Sequence, residues 1–329
     1  IANSRDTLIP GTRAPFGSTS PPSAADGKAV FAGFDNEDSP TLGGLYMADL
    51  RKRKKLKRLV GIGERVPGEP VHDTFNRLGE GVAFDGRYVG FWGAWNAETE
   101  YRTVRLYCPT EGNKDRIAYC NRNLVCAETG DTEGDPNSFC DGTGCYQEKR
   151  VPVRQGIFVH DTENGYTRVV ATTGEVFDDF VYWNYSGKTP CVGSGHGEEG
   201  AEEDGEPARW RFSSFVAVSA GAGATFQAAF KARTGELADG LYVDPVDGIY
   251  LGSVPGQSGI ATVVETGMNG WELDLDAPDG STITEVGLER EGLRGDRLVI
   301  NAKMDIEGGT EDDGMAGIYL TRVPITPSR

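Results

Sequence analysis

Two histidines are each followed by an aspartate and a threonine: His72 in "PVHDTF" and His160 in "GIFVHDTENG". An imidazole beside a carboxylate can act as a general base, and Tyr or Arg from neighbouring elements would complete a polysaccharide-lyase or hydrolase site. The same residues also cap backbone amides at strand ends and turns. Neither segment carries a further chemical residue at a diagnostic spacing, so the turn role is the expectation. The third histidine, His196, lies in "GSGHGEEG", which has Glu where a phosphate loop needs Lys. "AVSAG", Ala217 to Gly221, mimics a nucleophile elbow, but it leads into "AGATFQAAF", which reads as strand rather than helix. No catalytic residue is assigned, and His72 and His160 stand as the candidates of an alternative enzymatic reading.

Three acidic clusters offer oxygen ligands: "DNED" (Asp35 to Asp38), "GEEGAEEDGE" (Gly197 to Glu206) and "EGGTEDDG" (Glu307 to Gly314). Loops of this kind bind Ca²⁺ when their carboxylates converge, which would recruit Asp35, Asp38, Asp312 and Asp313. None has calcium-loop spacing, so a solvated surface and no cofactor are expected. The opposite extreme is "RKRKKLKR", in which Arg51, Lys52, Arg53, Lys54, Lys55, Lys57 and Arg58 are basic, on a chain of net charge −17. Such a hairpin tip would dock an acidic polysaccharide or an acidic protein surface. Without interleaved aromatics it is not a nucleic-acid platform. Aromatic clusters in "GFWGAW" (Gly90 to Trp95), "VYWNY" (Val181 to Tyr185) and "RWRF" (Arg209 to Phe212) could hold sugars or a partner, although alternate aromatics in strands more often pack between sheets.

The six cysteines, Cys108, Cys120, Cys126, Cys140, Cys145 and Cys191, are clustered and even in number. Their spacings lack CxxC pairs and nearby histidines, which favours disulfides in an oxidising compartment over zinc. "NYS", Asn184 to Ser186, is one glycosylation acceptor sequence. The most apolar run, Phe212 to Phe230, is interrupted by Ser, Thr, Gln and Gly and falls short of a spanning helix, so a soluble protein with at most peripheral membrane contact is expected. The first residue is Ile, which suggests a processed amino terminus.

The elements that must position these residues are β-strands. Gly and Pro are frequent, with 46 and 17 copies, and no segment has the composition of a helical bundle. A motif of Gly, apolar, aromatic, apolar recurs as "GLYM" at Gly44, "GIFV" at Gly156, "GIYL" at Gly248 and "GIYL" at Gly317. An apolar strand precedes each copy, and a Val-rich strand follows the first three: "KRLVGIG", "TRVVATTG" and "ATVVETG". After the fourth copy comes only "TRVPITPSR". The opening "TLIPGTRAP" aligns with "LVGIGERVP", so it is expected to supply the last unit's missing strand and close a ring. The reading is one all-β domain over 1–329, a β-propeller of four four-stranded blades. "DDFVYWNYSG" and the doubled "GLYVDPVDGIY" leave room for a fifth. A Cys-rich insertion occupies 108–150 of the second unit, and an acidic loop occupies 192–207.

The degenerate pattern "aVaF … GiY … vv..G...PG" resembles the tandem-repeat, propeller-like proteins of uncharacterised function that recur among secreted bacterial proteins. The resemblance implies an extracytoplasmic propeller and brings no catalytic residues; the Cys-rich insertion departs from it. The expected function is a non-enzymatic binding or structural module, secreted, at a cell surface or in an organelle lumen. It would dock through its loops to a protein assembly or an anionic polymer. The alternative is a lyase or hydrolase acting on acidic polysaccharide.

Overall fold

The computed structural model describes the chain except residues 4–5, 37–38, 52–55, 111–113, 115–116, 119, 122–137, 142–143, 175, 187–208, 222–224, 255–258, 307, 310–313 and 324–329. Four antiparallel sheets form a four-bladed β-propeller, as the repeat implies. Blade one holds β1 (Ser18–Thr19), β2 (Ser23–Ala25), β3 (Lys28–Phe34), β4 (Gly43–Asp49) and β5 (Lys57–Gly61). Blade two holds β6 (Phe75–Leu78), β7 (Ala83–Phe84) and β8 (Tyr88–Trp95). The chain then leaves for an arm, β9 (Tyr101–Tyr107), β10 (Ser138–Asp141) and β11 (Gly144–Pro152), before completing the blade with β12 (Gln155–Asp161) and β13 (Thr167–Thr172). A separate hairpin, β14 (Tyr182–Ser186) with β15 (Arg209–Ser213), precedes blade three. Blade three is β16 (Val216–Ala220), β17 (Phe226–Ala238), β18 (Leu241–Val254) and β19 (Ala261–Glu265). Blade four is β20 (Ser281–Arg294), β21 (Arg297–Ile306) and β22 (Met315–Arg322). The innermost strands β2, β7, β16 and β20 meet around the axis.

The recurring motif has a steric cause. Strand period two puts the motif glycine and its aromatic on one face, and the ring lies back over the glycine. A Cβ on Gly248 would stand 2.5 Å from the Tyr250 hydroxyl, and one on Gly317 would stand 2.9 Å from the Tyr319 ring. Cross-strand partners are small as well: Gly33 opposite Gly44, Gly93 opposite Gly156, Ala232 opposite Gly248 and Ala302 opposite Gly317. In blades one to three a bulge follows one residue after the glycine, between Leu45 and Tyr46, Ile157 and Phe158, and Ile249 and Tyr250. Gly44 is the most constrained, at φ +156 with the Val60 carbonyl oxygen 2.1 Å from any Cβ. Gly44→Ala is therefore expected to cost about 2 kcal/mol in urea denaturation, since the obstacle is backbone rather than a mobile side chain.

The first three seams between blades are apolar, and the first two carry aromatic rings. Phe158 stands 5.0 Å from Phe75 and 5.6 Å from Phe91 between blades one and two. Phe230 and Trp92 belong to the cluster joining blades two and three, and Ile249, Leu298 and Ile300 to that joining three and four. The last joint is different. Blades four and one meet through Ser23, which donates to Glu291 at 2.5 Å, and Arg290, which donates to the Pro21 carbonyl.

Two expectations need correction. The amino-terminal strand does not pair with blade four in the described residues: Leu8 bridges Pro15, and Ile9 and Phe16 bury themselves against Phe31 and Tyr46 of blade one. Burial of those two side chains, not edge pairing, decides where the segment goes. Among the described residues there is also no fifth blade. The "VYWNY" segment forms a two-stranded hairpin, and "GLYVDPVDGIY" runs through the single long strand β18, bulged against β17 near Glu236.

Candidate functional site

The hairpin β14–β15 is held at one end of the ring by Asp179, just before β14 and 2% exposed. Its carboxylate accepts hydrogen bonds from the Val181 amide (2.7 Å), the Gln155 amide nitrogen (2.9 Å) and the Tyr242 hydroxyl (3.1 Å). Burial raises its pKa. Gln155 is shared further, accepting from the Trp92 indole N–H at 2.9 Å. These bonds tie the hairpin to blades two and three.

Three cavities share Trp183 as a wall. The first, of about 180 Å³, brings together Trp92, Trp183 and Phe212, one residue from each aromatic segment noted in the sequence, with Arg77 and Arg150. Phe212 stands 5.6 Å from Trp92 and 5.7 Å from Trp183. Arg77 pairs with Glu98 at 2.6 Å, whereas Arg150 has no ion pair among the described residues and lies 4.4 Å over the Tyr101 ring. Glu80 also lines this cavity. The second, about 210 Å³, is walled by Arg105, Asp179, Arg233 and Tyr242, and the third, about 330 Å³, by Tyr182, Asn184, Lys231, Arg233, Asp247 and Glu285.

At the third cavity Arg233 donates to both oxygens of Asp247, at 2.6 and 3.1 Å, while the Lys231 ammonium stands 3.5 Å from the same carboxylate. Burial alone would raise the Asp247 pKa, but the hydrogen bond and charge of Arg233, with Lys231, hold it below the usual range. Burial lowers the Lys231 pKa against the pull of Asp247. The ammonium lies 4.3 Å over the Tyr182 ring. Burial also drives the Tyr182 phenol well above its ordinary pKa. The Tyr182 hydroxyl and the Trp183 indole N–H are both buried without a hydrogen-bond partner among the described residues. The three cavities are thus lined by aromatic side chains, five cations and five carboxylates, on a molecule of net charge −17.

The residues singled out from the sequence are distributed otherwise. His72 is exposed beside Asp73, at 3.6 Å. His160 is buried on β12, bonded to Thr167 at 2.9 Å, and burial, with Lys57 nearby, lowers its pKa to about 4. Neither histidine lines the three cavities. The second "HDT" acts as a turn: Asp161 accepts from the Glu163 amide, Asn164 and both ends of the Arg87 fork, and the Thr162 hydroxyl donates to the Arg87 carbonyl. Ser219 of "AVSAG" is in strand β16, where its hydroxyl accepts the Gly295 amide.

Of the basic run, Arg51 donates to the Asp26 carbonyl, Lys57 to the Thr162 carbonyl, and Arg58 pairs with Glu64 at 3.1 Å. Lys52, Arg53, Lys54 and Lys55 lie outside the described residues. Asp35 closes its own loop, accepting from the Thr41 and Leu42 amides and the Thr41 hydroxyl. Asp38, Asp312, Asp313 and the 192–207 loop are outside the description, and among the described residues no three His, Cys, Asp or Glu side chains are grouped to hold a metal. Cys108 and Cys120 form a disulfide, and Cys140 is the cross-strand partner of Cys145 in β10 and β11; Cys126 and Cys191 lie outside the described residues. No helix among the described residues is long and apolar enough to cross a membrane.

Sequence reasoning missed Asp179, Lys231, Arg233, Tyr242 and Asp247. A signal was present: Lys231 and Arg233 alternate directly after the apolar run Ala228–Phe230, and Asp247 directly precedes a motif glycine, so the hairpin register that pairs Arg233 with Asp247 would have exposed the cluster. No protein-family model matches the chain, and no curated protein matches its sequence.

Proposed function

We propose that this protein is a non-enzymatic binding module that holds an acidic glycan along the trough walled by Trp183. One observation carries the reading: three adjoining cavities share this indole as a wall, and cations from the arm and from blade three flank it. Sugar faces stack on Trp183 and Phe212 while carboxylate or sulfate groups reach Arg150 and Lys231. The Cys108–Cys120 disulfide supports work in an oxidising, extracytoplasmic setting. The competing reading, a lyase or hydrolase, asks for a histidine beside Tyr and Arg. Tyr182, Tyr242 and Arg233 meet without one among the described residues, which favours binding over catalysis.

Calorimetry with an oligogalacturonate series and with a sulfated oligosaccharide tests this. Saturable binding that weakens with added salt is expected, and Trp183→Ala should reduce affinity by about 30-fold, the loss of one aromatic anchor worth about 2 kcal/mol. His72→Ala should leave it unchanged. Absence of binding to both polymers at low salt overturns the proposal.

A further inference from the structure

Blade four lacks something the other three possess. In blades one to three the residue after the motif glycine, Leu45, Ile157 or Ile249, is completely buried, with an outer strand beside it and the next blade against it. The equivalent Ile318 is 81% exposed, Leu320 is 60% exposed, and Val299, the cross-strand partner of Leu320, is 40% exposed. Among the described residues β22 pairs on one side alone, with β21. Its sequence from Met315 to Thr321 contains neither charge nor proline, the usual guards of a free edge. The described amino-terminal segment is committed to blade one.

We infer that this edge accepts an antiparallel, Val-rich strand from another polypeptide as the fourth strand of the blade. The chain itself supplies three templates for the occupant. Its outer strands place Val60, Ala171 and Val264 opposite the position of Ile318. Charge adds a second requirement. Arg297 and Arg322 are cross-strand neighbours where such a strand would begin, both exposed and without an ion pair among the described residues. The incoming strand therefore begins with an acidic residue. A second copy of this chain is disfavoured as the occupant because each copy carries net charge −17. The mode is strand addition, in which ladder hydrogen bonds give affinity and alternate side chains give selectivity.

The test uses the whole protein and two fluorescein-labelled peptides, EATVVETG and KATVVETG, built on the chain's own strand Ala261–Gly267. Anisotropy titrations should show saturable binding of the Glu-led peptide, at least about 10-fold tighter than the Lys-led one, the effect of a charge swap facing two arginines. The double variant Ile318→Lys/Leu320→Lys should lose at least about 10-fold in affinity with its thermal midpoint unchanged, since both side chains are exposed. Failure of both peptides to bind, or binding indifferent to the double variant, overturns the inference. Concentration-dependent dimerisation in sedimentation that the double variant abolishes also overturns it, by assigning the edge to a second copy. Loss of glycan binding in Trp183→Ala is independent of every one of these outcomes.

Discussion

Asp247→Ala is expected to lower the unfolding free energy by about 3 to 4 kcal/mol, because it leaves two half-buried cations without the carboxylate they both pair with. Arg233 spends two of its donors on this carboxylate and Lys231 has no other ion pair among the described residues. The surrounding Tyr182 and Tyr242 rings sit 5.4 and 5.2 Å from the guanidinium, so water cannot fully replace the lost charge. Urea denaturation at neutral pH measures the effect. The variant Lys231→Met/Arg233→Met/Asp247→Leu separates the cost of an unpaired charge from the worth of the pair, and it should recover most of the loss, since a buried ion pair is often no better than apolar residues of its size. A loss under 1 kcal/mol for Asp247→Ala would mean the cluster is solvated. If the proposed glycan occupies the trough, saturating acidic ligand should stabilise Asp247→Ala at least as much as the wild type, because a bound anion restores the missing charge.

The blades were legible because their signal is steric and local. A glycine two residues before an aromatic is required wherever the ring folds back over the backbone, so Gly156, Gly248 and Gly317 are visible in any reading of the chain. The closure was misread for an equally local reason. What aligns Gly11 with Gly63 is a shared turn: each glycine sits at φ +85 with the next amide bonded back three residues, Thr12 to Ile9 and Glu64 to Gly61. Gly267 repeats the turn, Met268 bonding to Glu265. Such a turn follows the outer strand in blades one and three, but at the amino terminus it follows a strand whose Ile9 prefers the apolar face of Phe31 and Tyr46. Turn chemistry is readable from four residues, whereas the surface on which a segment lands depends on long-range burial.

The trough lay between these extremes. Its aromatics were noticed as three separate clusters, and what brings Trp92, Trp183 and Phe212 together is the Asp179 network, whose members Gln155, Val181 and Tyr242 are scattered along the chain. A lone Asp in "DDFVYW" carries no mark of burial. The histidines carried the opposite error, a conspicuous pattern with a structural use, since His160 faces Thr167 across a strand pair and Asp161 organises the turn.

Acidification from pH 6.5 to 4 is expected to remove about 3 kcal/mol of stability through His160 alone. Burial, reinforced by the Lys57 charge, lowers its pKa from the ordinary 6.5 to about 4, with Asp161 opposing the shift. The unfolded chain therefore binds a proton at a pH where the folded protein still refuses it. The contribution is fully present above pH 6.5, declines as pH falls towards 4, and is gone below that. Carboxylates of the unfolded chain begin to take up protons at the lower end of this window while Asp161, held below its ordinary pKa by Arg87, does not, so wild-type stability alone does not isolate the effect. The informative quantity is the difference in unfolding free energy between wild type and His160→Leu, which should change by about 3 kcal/mol between pH 7 and pH 4, in favour of the variant at the lower pH. Nuclear magnetic resonance of the imidazole provides an independent reading, with the ring of His160 remaining neutral down to about pH 5. Titration near 6.5 would mean that water reaches β12 between blades one and two, where Lys57 donates to the Thr162 carbonyl, and would remove the basis for the stability difference.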